Sequence, residues 1–153
     1  MHDERKALRQ IMAAVRLCTM QREKSELQLR HVLQKLQLAE QSLQTESVSY
    51  RRTLAQHQQF IARGVLLHPV MQEQRLLALA ASRTAVANKQ RMVNDARQLF
   101  QEAQSALIRA KISVDVTDKA RQRVSRVVEQ QAQAKELIDI FDAQYRQGGS
   151  LGV

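Results

Sequence analysis

Four histidines and a single cysteine have the widest chemical range in this 153-residue chain. A zinc site needs ligands that converge, from i, i+4 positions on one helix or from C-x-x-C pairs. His2, His31, His57 and His68 never fall four residues apart or beside a suitable acid on one helix face, and Cys18 has no second thiol. Gly64 stands alone where a phosphate-cradling loop needs several glycines. Cys18 lies on an apolar helix stripe, the place of a small buried thiol rather than of a nucleophile. A lone cysteine also suits a reducing compartment. The residues point away from catalysis. No catalytic, cofactor or metal residue is assigned, and function has to be read from the elements.

Those elements are helices. The chain holds 22 Gln, 19 Ala and 17 Arg but no Trp, which favours helix and fills a core poorly. The buried surface should therefore be a narrow seam. Net charge is +9, unevenly spread: residues 1–63 hold 11 basic and 6 acidic groups, whereas residues 127–153 hold 2 and 4. A basic body seeks acidic surfaces. Nucleic acid is not the expected one, because the arginines are scattered around the helices and aromatics for base stacking are few. No apolar run approaches the roughly 20 residues that cross a bilayer. The acidic opening Met1-His2-Asp3-Glu4 is unlike an export signal, so a cytoplasmic location is expected.

The only proline, Pro69, and the only glycine before residue 148, Gly64, bracket one bend. Glycine ends a helix at C′ and proline opens the next at its first turn. The fold class is therefore all-α: a long antiparallel two-helix coiled-coil hairpin, residues 1–147, with an overhanging C-terminal helix. Helix 1 spans about 3–63, the turn 64–69 and helix 2 about 70–147. Gly148-Gly149 should stop helix 2, leaving 148–153 as a flexible tail.

Steps of three and four trace the seam of helix 1 from Leu8, Ile11, Val15 and Cys18 to Tyr50, Thr53, His57 and Phe60. Eleven of its sixteen positions are apolar or aromatic, with Arg22, Ser25 and Glu46 as interruptions. Helix 2 continues it through Leu79, Val86, Val93, Ala96, Phe100, Ala103, Leu107, Ala110 and Val114. Large and small residues alternate from Val93 on, which allows close approach. Past the β-branched run 112–117 the apolar phase shifts to Ala120, Val124, Val127 and Ala134. Such a shift predicts a stammer and a bend or change of partner near residue 115. A turn centred on residue 66 or 67 pairs residues whose numbers add to about 133. Leu54 would then face Leu79, and helix 2 would overhang by about twenty residues. That overhang carries Ile138, Phe141 and Tyr145 on one stripe, with Leu137 and Ile140 beside it, and an uncovered stripe marks a contact surface.

Two segments give the chain a family likeness. Tyr50-Arg51-x-x-Leu54 before the turn, and Glu129-Gln130-Gln131 through Lys135-Glu136-Leu137-Ile138-Asp139-Ile140-Phe141-Asp142 near the end, occur in a basic, Gln-rich hairpin of this length. In these features it resembles the type III secretion central stalk proteins of the YscO/SctO family and their flagellar counterpart FliJ. The resemblance implies a non-enzymatic, elongated monomer in the bacterial cytoplasm, docked at the base of a secretion apparatus. Such a stalk inserts into the hexameric secretion ATPase and links it to the cytoplasmic ring of the export gate, with secretion chaperones as further candidate partners. By position, the export-gate contacts would be Leu43 and Tyr50, with Leu76 and Leu79 opposite them. The ATPase contacts would be Ile138, Phe141 and Tyr145. Glu46 stands where the family often has an aromatic. Leu43 and Tyr50 also lie on the seam, where they would pack the hairpin. A coiled-coil escort for secretion chaperones and a structural homodimeric coiled coil remain the alternatives.

Overall fold

A computed structural model describes residues 2–64 and 68–150. The described residues form two helices, α1 (His2–Ala62) and α2 (Pro69–Ser150), which pack antiparallel against each other as an all-α hairpin. The chain divides into two compact units, one running Glu26–Ala106 and the other joining Met1–Ser25 to Leu107–Val153.

The unit Glu26–Ala106 contains the bend. Gly64 adopts φ 63°, the left-handed conformation that a side chain disfavours, and it is the only positive φ among the described residues. Its N–H bonds the Ile61 carbonyl at 3.2 Å, while the Arg63 N–H bonds that of Gln59 at 3.0 Å, so the last turn of α1 closes on itself. Pro69 opens α2 as expected, and its missing N–H falls where no intrahelical partner exists. His68 is the cap: its Nδ1 accepts from the Val70 N–H at 3.3 Å, and its carbonyl accepts the first helical bond, from Gln72. Val65, Leu66 and Leu67 lie outside the described residues.

All sixteen expected seam positions of α1 are buried or half-buried. In the unit Glu26–Ala106 the deepest are Val32 and Leu36 on α1, with Val93 and Ala103 on α2; Val93 is completely enclosed. Two contacts set the pairing: Arg97 with Glu40 at 3.7 Å, and the Arg75 guanidinium 3.4 Å over the Phe60 ring. Paired residue numbers thus add to 137 and 135, not to 133. Side-chain size explains the register. It sets Ala39 level with Ala96, and puts Leu36 and Leu43 near Phe100 and Val93, so small layers alternate with large ones. By the same count Glu46 comes level with Lys89, and both are half-buried.

This register corrects the expected pairing of Leu54 with Leu79: Leu79 is level with His57. It also makes α2 start early. Ala62 comes level with about Gln74, so the first turn and a half of α2 stands beyond the end of α1, and residues 68–74 are all exposed.

In the other unit the register is the same, because Gln131 donates a hydrogen bond to Glu4 and their numbers add to 135. The expected stammer is absent. The heptad runs on through Leu107, Ala110, Val114, Thr117, Arg121, Val124, Val128 and Gln131, all buried or half-buried, while Val127 is 45% exposed and Ala134 lies on the surface. An apolar-only reading skipped the two polar seam residues that keep the phase. Thr117 satisfies its hydroxyl on the Ser113 carbonyl at 2.7 Å, and Arg121 pairs with Asp118 at 2.9 Å, so neither needs to leave the seam. The helix is continuous through residue 115, and the division between units falls at Ala106 and Leu107 instead.

Gly148 and Gly149 do not stop α2, which runs to Ser150. Each costs a helix about 1 kcal/mol relative to Ala. Nothing turns the chain into the left-handed region there, as happens at Gly64. Residues 148–150 of the expected tail 148–153 are thus helical, and 151–153 lie outside the described residues.

Two substitutions test this account by urea denaturation. Gly64→Ala is expected to destabilise by about 1 kcal/mol through backbone strain alone, since an added Cβ would meet nothing within 4 Å; Gly64→Asn should cost less. Val93→Ala removes two methyl groups from the best enclosed site and should cost about 2 kcal/mol.

Candidate partner-binding surface

Within the unit formed by Met1–Ser25 and Leu107–Val153, cover ends at Gln131. Its Nε2 donates to Oε1 of Glu4, in the first turn of α1, where a carboxylate also complements the helix dipole. That hydrogen bond is the main reason the Glu4 carboxyl sits below its ordinary pKa. From Ala132 to Gly149 every residue of α2 is exposed.

This bare segment is amphipathic. At about 100° per residue, Ala134, Leu137, Ile138, Phe141, Tyr145 and Gly148 share an arc of roughly 100°. Lys135, Glu136, Asp139 and Arg146 occupy the other side. Ile138, Phe141 and Tyr145 are 60%, 74% and 84% exposed, so the stripe expected from the sequence is present and open to solvent. Phe141 and Tyr145 flank a shallow apolar shelf whose floor is Gly148 and Gly149. The two glycines thus lower the helix surface beside two large rings, which gives a partner side chain somewhere to seat.

The phase of this face matters. Continuing the α2 seam past Gln131 leads to Lys135, Ile138, Asp142 and Tyr145, while the apolar arc is centred roughly 70° away. Extending the intramolecular pairing would therefore cover two charges and leave Leu137 and Phe141 at its edge. The face is aimed at something other than the direction in which α1 lies.

The other proposed contacts are differently placed. Leu43, Tyr50 and Leu79 are half-buried in the seam, and only Leu76, 49% exposed, lies on the surface. The register sets Tyr50 level with Val86, so Leu76 and Leu79 are not opposite Leu43 and Tyr50, and the four do not form one patch. The apolar residues that do face solvent near the bend are Ile61, Val70, Met71, Leu76 and Leu77. Sequence reading passed over Val70, Met71 and Leu77, which lie off the seam stripe it traced.

Among the described residues no three His, Cys, Asp or Glu side chains gather as metal ligands. Cys18 is half-buried and unpaired by any disulfide, at its expected seam position. No helix among them is both long and apolar enough to cross a membrane. Comparison with protein-family models, with curated proteins and with solved structures finds no match to this chain. What the fold and surface define is a two-helix hairpin that leaves one amphipathic helical end unpartnered.

The Glu4–Gln131 bond has a pH signature. A carboxyl whose pKa is lowered on folding adds stability above its unfolded pKa, and that contribution is lost as pH falls through the folded value. Gln131→Leu is therefore expected to raise the Glu4 pKa toward its ordinary value and to weaken the acid-side fall in stability. A side-chain carboxyl NMR titration of both proteins, with melts across the same acid range, checks it.

Proposed function

We propose that this protein is the non-enzymatic central stalk of a bacterial type III secretion system. Its α2 end inserts into the hexameric secretion ATPase, and its bend reaches toward the cytoplasmic ring of the export gate, in the cytoplasm beneath the membrane. The observation that carries the reading is the bare amphipathic end of α2. A helix that buries its seam with care up to Gln131 and then presents Ile138, Phe141 and Tyr145 to water is built for a partner.

Two further features support it. The likeness of the Tyr50-Arg51-x-x-Leu54 and Lys135–Asp142 segments to the stalk family is one. The other is charge: a basic body would be guided by an acidic ring, and the end that touches the ring is apolar with mixed charge, so contact there rests on packing. A helix end with one apolar face meets ring subunits unequally. That inequality is what a coupling element needs in order to favour one nucleotide state of the ring over another. Near the gate, Leu76 is the exposed member of the proposed contacts; Leu43, Tyr50 and Leu79 would act by holding the hairpin in register.

The test is turnover by a purified hexameric secretion ATPase, with and without the protein. Stimulation is expected, and Ile138→Asp and Phe141→Asp should each reduce it at least about tenfold, since a charge must then enter an apolar contact. Both residues are exposed, so circular dichroism should show unchanged helicity. Turnover that neither the protein nor the variants alter, together with co-purification of secretion chaperones, would assign the chain to the escort class instead. A concentration-dependent dimer abolished by the same variants would assign it to the homodimeric coiled coils.

A further inference from the structure

Within the unit Glu26–Ala106 the two helices do not close on each other everywhere. A notch of about 190 Å³ opens between them, lined by Thr53, Gln56, His57 and Phe60 of α1 and by Arg75 and Ala78 of α2. Side-chain size accounts for it: Ala78, about level with His57, offers one methyl group where a larger residue would fill the groove. The polar groups around this space are poorly matched among themselves. His57 Nδ1 is buried and has no hydrogen-bond partner, and a buried polar atom left so is costly until something pairs with it. Thr53 already gives its hydroxyl proton to the Ser49 carbonyl at 3.0 Å. The Arg75 guanidinium sits 3.4 Å over the Phe60 ring. Stacking occupies its face and leaves its N–H edge, the part of an arginine that forks onto a carboxylate.

Charge narrows the ligand to an anion. No acid lines the notch, and residues 51–83 hold five arginines against one acid, Glu73. At about 100° per residue, Arg52 and Arg63 share an arc of roughly 40° with Gln56 along the notch side of α1. Glu73 lies about 160° around α2 from Arg75, which turns it away from the notch. The walls then separate one anion from another. The Phe60 ring and the Ala78 methyl give apolar surface beside the donors, against which the methylenes of an acidic side chain can lie and a free phosphate cannot.

We infer that this notch receives one acidic side chain of a partner peptide. Its carboxylate accepts hydrogen bonds from the edge of the Arg75 guanidinium and from His57 through Nδ1–H, while Gln56 donates from the rim and the methylene stem rests on Ala78. The inference does not depend on the stalk reading, which is carried by Ile138, Phe141 and Tyr145.

NMR of the full chain tests it, with the His57 ring signals identified by their loss in His57→Gln. The probe is acetyl-glutamate N-methylamide, and the control is its glutamine counterpart, equal in shape but uncharged. Saturable shifts of the His57 ring are expected with the glutamate probe at constant pH, and binding of the control should be at least about tenfold weaker. Arg75→Gln should weaken glutamate binding to the same degree. Ala78→Leu, which fills the notch from an exposed position with a good helix former and alters no charge, should do likewise, with helicity unchanged by circular dichroism. Absence of a saturable shift overturns the inference, and so does equal binding of the glutamine control. Binding that Ala78→Leu leaves intact would mean that the arginines attract anions without the notch, which overturns it too. Inorganic phosphate that binds more tightly than the glutamate probe would assign the notch to a free oxyanion instead.

Discussion

Among the described residues each helix has only the other to bury its apolar stripe against, and that mutual dependence governs the structure. With no tryptophan and only three phenylalanines, there is no third layer to form a globular core. Val32, Leu36, Val93, Ala103 and Leu107 are the only buried hydrophobic residues among those described, and of these only Val93 is fully enclosed. The remainder of the seam is half-covered, so stability must come from many modest contacts repeated along two helices. A single poor layer would be tolerated; loss of the pairing would not.

Layer matching sets the register, and the register decides what is left over. Small residues must meet small ones for the backbones to approach, so Ala39 comes level with Ala96, and Glu46 comes level with Lys89 as a consequence. The Arg97–Glu40, Arg75–Phe60 and Gln131–Glu4 contacts agree with that spacing. With that spacing, residues 68–74 and 132–149 of α2 are exposed. Gly64, in its left-handed conformation, ends α1.

The two uncovered ends carry different physics. Past Gln131 the apolar residues lie in one arc with charges behind them, the pattern of a helix that meets one surface. Before Arg75 the exposed apolar side chains of α2 are Val70 and Met71, with Gln72, Glu73 and Gln74 following them on the same turns. The role proposed for the far end of α2, a one-sided protein contact, follows from that arc.

Much was legible in the sequence. Heptad spacing identified sixteen seam positions of α1, from Leu8 to Phe60, though not Glu4 ahead of them, and the rarity of glycine and proline located the bend, because those two residues alter backbone freedom wherever they stand. The Ile138, Phe141 and Tyr145 stripe was legible too, since helical periodicity places residues on faces without knowledge of any partner. Three things were decided only by tertiary structure. Thr117 and Arg121 hold the seam because a hydroxyl can bond its own helix and an arginine stem can lie along a groove, options that residue type alone does not reveal. Gly148 and Gly149 remain helical because glycine permits a break without requiring one. The overhang at the bend arises because the two helices choose their relative slide by packing of side chains far from the turn, and no count of turn residues contains that information.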